Sequence, residues 1–170
     1  MFDNIKSIDW KKEGFEDIPY WLQNIRDGDE VVKLSNIKDM LNTMIPNPLL
    51  DGQVTIDVLF DAMQSGAYSK LVPVVIDLIR LEPSPRVQFY LLGVLEAFLE
   101  FCFLLYRIPA DKKETYRNWA KSIYVAVRKG DELYHDLLNS KDKLKQKYLS
   151  TGIKTIFEIY DKIETQKRLD

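Results

Sequence analysis

Apolar residues along this chain recur at intervals of three and four within segments bounded by proline and glycine, the pattern of amphipathic helices. Ile18, Trp21, Leu22 and Ile25 make one such face before Asp27-Gly28-Asp29. Val31, Leu34, Ile37, Leu41 and Met44 make a second before Ile45-Pro46-Asn47-Pro48, and the two read as a helical hairpin. Thr55 is placed to cap a short helix over 55–64 built on Ile56, Leu59, Phe60 and Met63. Leu71, Val74, Val75, Leu78 and Ile79 lead to Glu82-Pro83-Ser84-Pro85, after which a long apolar helix is predicted from Arg86 to Tyr106.

Beyond Ile108-Pro109, Asp111 can cap a helix over 111–129 whose buried side holds Tyr116, Trp119, Ile123, Tyr124 and Val127. Leu133, Tyr134, Leu137 and Leu138 fill a short helix. Leu144, Tyr148, Ile153, Ile156, Phe157 and Tyr160 are read as the apolar filling of the last one. No segment alternates strictly over more than four residues, so no sheet is expected. The prediction is an all-α chain of about seven or eight helices.

An internal repeat gives these helices an order. Ile18-Pro19-Tyr20-Trp21-Leu22-Gln23-Asn24-Ile25-Arg26 aligns with Val72-Pro73-Val74-Val75-Ile76-Asp77-Leu78-Ile79-Arg80, with proline second and arginine last. Each copy precedes a polar turn and a longer apolar helix, and a weaker third copy begins near Tyr134. Proline suits the start of a helix, where its missing N–H would be unpaired anyway. This order of first helix, turn and second helix resembles HEAT-like repeats over residues 18 to 165. It implies a short α-solenoid of antiparallel helix pairs in one domain spanning 1–170. The units would be 18–48, 70–108 and 132–165, with extra helices at 55–64 and 111–129. A plain helical bundle would give the same periodicity.

Composition narrows the chemistry. Cys102 is the single cysteine and lies in an apolar run, so no internal disulfide or thiolate metal site can form and an inert core thiol is expected. The stretch from Phe89 to Tyr106 is shorter than the ~20 apolar residues of a membrane span. It also contains Glu96 and Glu100. Met1 to Trp10 hold no apolar signal-peptide core, and a cytoplasmic protein with no membrane contact is the expectation. His135 is the one histidine, and no nucleophile elbow, phosphate loop or dinucleotide fingerprint accompanies it. No enzyme activity, metal, cofactor or small-molecule substrate is therefore expected.

Two pairs of carboxylates, Asp57 with Asp61 and Glu96 with Glu100, are spaced four apart and so share a helix face. Around Glu96 and Glu100 that face also holds Phe89, Gly93, Phe103 and Arg107, and neither glutamate has a cation three or four residues away. Uncompensated acids beside aromatics suit a basic partner, whereas lysines from the carboxyl-terminal half could also neutralise them within the fold. Residues 1 to 100 carry 16 acidic and 9 basic side chains, a balance of −7; residues 101 to 170 carry 10 and 15, a balance of +5. Lys141, Lys143, Lys145 and Lys147 look like a basic run, but a spacing of two spreads them around a helix.

A small, acidic, helical-repeat chain of this kind looks like the immunity proteins of contact-dependent growth inhibition and related polymorphic toxin systems. That resemblance of fold and charge implies a binding module that neutralises a basic cognate toxin domain, and Glu96, Glu100, Phe89, Phe103, Asp57 and Asp61 are the residues expected to bind it. An alternative is a helical-repeat DNA glycosylase, whose DNA groove is basic and lined with tryptophan and acid. Here Trp10, Trp21 and Trp119 are present, but a net charge of −2 is poor for phosphate contact, and nucleic acid is disfavoured. A general protein-interaction adaptor is the third reading.

Overall fold

Helix ends fall where glycine, proline and short polar side chains interrupt the apolar pattern, and at those points the chain turns back on itself. A computed structural model describes residues 9–11, 15–44, 66–100, 102–103, 110–166 and 169. Among them are seven α-helices and no strand. Helix α1 (Ile18–Asp27) carries Pro19 in its first turn and ends at Gly28. A Cβ at Gly28 would lie 2.7 Å from both the Asn24 carbonyl oxygen and the Val32 side chain, so a bulkier residue would push the next helix away. Helix α2 (Glu30–Met44) opens with the Val32 N–H donating to Asp29 Oδ1 at 2.9 Å, a side-chain cap.

Helices α3 (Ala67–Leu81) and α4 (Pro85–Glu100) follow, then a 3₁₀ turn (Ala110–Lys112), α5 (Lys113–Arg128), α6 (Asp131–Leu138) and α7 (Lys143–Thr165). Asp142 caps α7 by accepting from the Leu144 and Lys145 N–H groups. The pairs α1 with α2, α3 with α4 and α6 with α7 pack as neighbours. Helix α4 stands at the centre: it touches α2, α3, α5 and, over the largest contact of all, α7. Its apolar residues fit that position, since Val87, Leu91, Leu92, Val94, Leu95, Phe98 and Leu99 are all buried. Each such side chain contributes about 1.5–3 kcal/mol of transfer free energy.

Tyr68 ties the first helices to the fifth. Its ring makes edge-to-face contacts with Phe15 (6.0 Å), Phe98 (5.3 Å) and Trp119 (5.6 Å), and its hydroxyl donates to the Met44 carbonyl at 3.0 Å. Burial raises the pKa of the phenol well above the ordinary tyrosine value, so it remains a donor.

Several sequence expectations change. The buried face of α2 is Asn36, Ile37, Met40 and Met44, whereas Val31 is exposed and Leu34 and Leu41 are only partly buried. The face is rotated because its polar members are satisfied inside: Asn36 accepts from Asn24 Nδ2 at 3.2 Å and donates to the Val32 carbonyl at 2.8 Å. Pro73 does not open α3 but lies within it, on the exposed side. The extra turns before it bury Ala67, Tyr68 and Leu71, which offsets the roughly 3 kcal/mol cost of an interior proline.

Asp111 lies in the 3₁₀ turn, and α5 begins without a side-chain cap. Helix α4 ends at Glu100, and Cys102 and Phe103 follow in a 3₁₀ turn. The rest of the helix expected to Tyr106 and the one expected over 55–64 lie outside the described residues. At the start of α7, Leu144 and Tyr148 are 60% and 39% exposed, and burial begins only at Leu149.

One buried ion pair joins α2 to the α3–α4 turn. Lys33 Nζ lies 2.7 Å from Glu82 Oε2, with side-chain exposures of 12% and 5%, and Glu82 Oε1 accepts the Ser84 N–H at 2.9 Å. Breaking such a pair from one side strands a buried charge. Lys33→Met is therefore expected to lower unfolding free energy by about 3 kcal/mol in urea titrations. Adding Glu82→Gln, which removes the stranded charge and still accepts from Ser84, recovers most of that loss. A single-variant loss below about 1 kcal/mol would mean that the pair behaves as an exposed one.

Candidate functional surface on the central helix

Four helices cover α4, and what remains open is a stripe through Gly93, Glu96 and Glu100. Glu96 is half-buried and Glu100 exposed. Spaced four apart, they share a face, and neither makes an ion pair or hydrogen bond among the described residues. Loss of hydration, and secondarily the like charge of Glu100, raises the Glu96 carboxyl above its ordinary value. Among the described residues, a Cβ added at Gly93 would meet no atom within 4 Å, so none of them requires a glycine there. Mid-helix glycine costs about 1 kcal/mol relative to alanine, and here no internal packing offsets it.

The aromatic companions sit deeper than the helical spacing suggests. Phe89 is half-buried against the core, and its ring lies 3.7 Å from where a Cβ of Gly152 on α7 would be. It also meets the edge of Tyr90, which is 43% exposed, at 5.7 Å. Phe103 packs on the core too, from the 3₁₀ turn, so the α-helical register linking Glu96, Glu100 and Phe103 does not continue through it. The structure thus brings Glu96 and Glu100 together and uses Phe89 and Phe103 partly as packing. Asp57 and Asp61 lie outside the described residues.

Sequence reasoning missed a second polar cluster, where α5, α6 and α7 meet. Arg128 Nε lies 2.7 Å from Asp131 Oδ2, Arg128 Nη1 lies 2.9 Å from Glu164 Oε1, and the guanidinium stands over the Tyr160 ring at 4.8 Å. Tyr124 donates a short hydrogen bond to Glu164 and accepts one from Arg128 at 3.2 Å. Arg128, Asp131, Tyr160 and Glu164, with His135, Phe157 and Asp161, line a shallow pocket of about 260 Å³. Arg128 is neutralised within the chain, so the cluster is a staple among three helices. Its one sequence signal was the three-residue spacing of Arg128 and Asp131 across Gly130.

His135 is exposed, with its ring 5.1 Å from that of Phe157. Cys102 is buried near the Ala120 carbonyl, and burial pushes its thiol up to about 12, where no reactive thiolate forms at neutral pH. Trp10 and Trp119 are 5% and 7% exposed and line no open groove. Among the described residues no three His, Cys, Asp or Glu side chains converge as metal ligands. No protein-family model, curated protein or solved structure matches the chain.

The raised Glu96 pKa gives a pH signature. A carboxyl whose folded pKa exceeds its unfolded one leaves stability unaffected below the ordinary value of 4.5, because both states are then protonated. It costs stability increasingly as pH rises through the folded pKa. Glu96→Gln should therefore melt higher than the parent at neutral pH and match it in acid. A difference that persists unchanged below the carboxylate range would show another origin.

Proposed function

We propose that this chain is a protein-binding module of HEAT-like helical repeats, and that the α4 stripe receives a basic partner, most specifically a bacterial toxin domain that the chain neutralises. The single observation carrying this reading is the pairing of Glu96 and Glu100, without a cation among the described residues, beside a helical glycine that no described residue packs against. A preformed carboxylate pair on a buried, rigid helix can meet arginine or lysine with little reorganisation. Partly desolvated acids gain more from an incoming cation than fully hydrated ones do. The negative balance of residues 1 to 100 would speed the encounter by long-range attraction.

The repeat reading draws on the contacts α2–α4 and α4–α7, which set the second helix of each pair beside the next. It must accommodate α5, which packs on α3 as an additional helix. The burial of Trp10 and Trp119 gives the DNA-groove alternative no support.

The experiment is co-expression with the adjacent gene's product, paired with a binding titration of the two purified proteins. The parent chain should rescue growth. The double variant Glu96→Lys/Glu100→Lys should weaken binding by about 2 kcal/mol or more, a loss of roughly thirtyfold, with melting nearly unchanged. Unchanged affinity with an intact melt places the partner elsewhere. Gly93→Ala offers a second check with opposed signs: it should stabilise the chain by about 0.5–1 kcal/mol while weakening the complex.

A further inference from the structure

The first two turns of α7 are the least covered helical segment among the described residues. From Lys141 to Tyr148 no residue is buried; Leu144 is 60% exposed and Tyr148 39% exposed. Four apart, these two share one face. Lys145 and Lys147 follow Leu144 by one and three positions, about 100° to one side of it and about 60° to the other. Lys143 stands further round on the Lys147 side, and Lys141 precedes the cap. None of these four lysines makes an ion pair among the described residues; Lys147 lies instead 6.0 Å from the Tyr148 ring. The carboxylate within the segment, Asp142, is engaged with the Leu144 and Lys145 N–H groups.

We propose that this segment is a docking surface for an anionic lipid bilayer, with Leu144 and Tyr148 entering the headgroup boundary and the lysines holding the acidic headgroups on either side. An apolar stripe bordered by lysines is the arrangement of interfacial helices, which lie on a bilayer and do not cross it. No helix among the described residues is long and apolar enough to cross one. The expectation of no membrane contact rested on the absence of a span, and a surface helix needs none. Single-stranded nucleic acid would use the lysines and Tyr148 but leave Leu144 exposed, since its stacking platforms are aromatic. The leucine therefore favours lipid. Binding through so few apolar groups is weak and reversible. The inference does not depend on the function proposed above.

The test is co-sedimentation of the full chain with vesicles of phosphatidylcholine alone and of phosphatidylcholine mixed with phosphatidylglycerol. The parent should partition onto the anionic vesicles and be released by salt. Each of Lys143→Gln, Lys145→Gln and Lys147→Gln should lower the partition coefficient roughly fivefold. Leu144→Ser should lower it by about tenfold while leaving the salt dependence intact. Equal partitioning onto both vesicles, or none, overturns the proposal, and that comparison needs no variant. Oligothymidylate binding by a chain that ignores anionic vesicles also overturns it and assigns the lysines to nucleic acid. A Leu144→Ser variant that melts like the parent and binds anionic vesicles equally well would falsify the role of the apolar stripe.

Discussion

Burial of α4 between four other helices is the constraint on which the rest of this structure depends. A helix so enclosed can carry ionised groups only where a neighbour neutralises them or where no neighbour reaches, because an unpaired charge in the interior costs several kcal/mol. Its interior positions are accordingly apolar, except for Gln88, which is 2% exposed and donates to the Ile79 carbonyl at 2.8 Å. Its two glutamates fall on the single open stripe. The same enclosure fixes the stripe's geometry, since α4 cannot shift without disturbing the Tyr68, Phe98 and Trp119 ring contacts.

Buried polar groups then decide details that apolar periodicity alone leaves ambiguous. Helix α2 could bury its Val31, Leu34 and Leu41 side or its Ile37, Met40 and Met44 side. The second wins because Lys33 and Asn36, on or beside it, find Glu82 and Asn24 as partners from other segments. Such partners lie 49 and 12 residues away and are invisible to a local pattern. Existence was legible for all seven helices, and in α1, α3, α4 and α5 most of the apolar residues read as the inner face are buried, with Trp21, Phe89 and Tyr124 only partly so. Rotation of α2 was not, because polar residues with distant partners mimic an exposed face.

The errors at helix ends share another cause. The repeat suggested that α3 starts near residue 70 with proline in its first turn, yet the chain extends the helix back to Ala67 because Tyr68 gains a ring cluster and a carbonyl partner there. Leu144 and Tyr148 continue the apolar rhythm of α7 but project past the helices that cover its later turns. Periodicity gives the side of a helix that is apolar, whereas the extent of the neighbours determines how much of that side is covered. Of the proposed surface, the proximity of Glu96 and Glu100 was legible from their spacing. The deeper seating of Phe89 was not, because it arises from α7 packing across Gly152.

The two acidic clusters of this molecule make an internal comparison. Asp131 and Glu164 lie beside tyrosine rings, and the chain supplies Arg128 between them, bonded to both carboxylates and laid over Tyr160. Arg128 can do this because α5, α6 and α7 converge there and it sits at the end of one of them. On α4 the chemistry is similar, with two carboxylates and nearby aromatic rings, but no cation among the described residues meets them. Available lysines are not lacking, since those from Lys141 to Lys147 make no ion pair among the described residues. Where α5, α6 and α7 converge the described residues neutralise their own acids, whereas none of them supplies a cation to the half-buried Glu96, and that contrast supports the proposal that the stripe receives its cation from a partner.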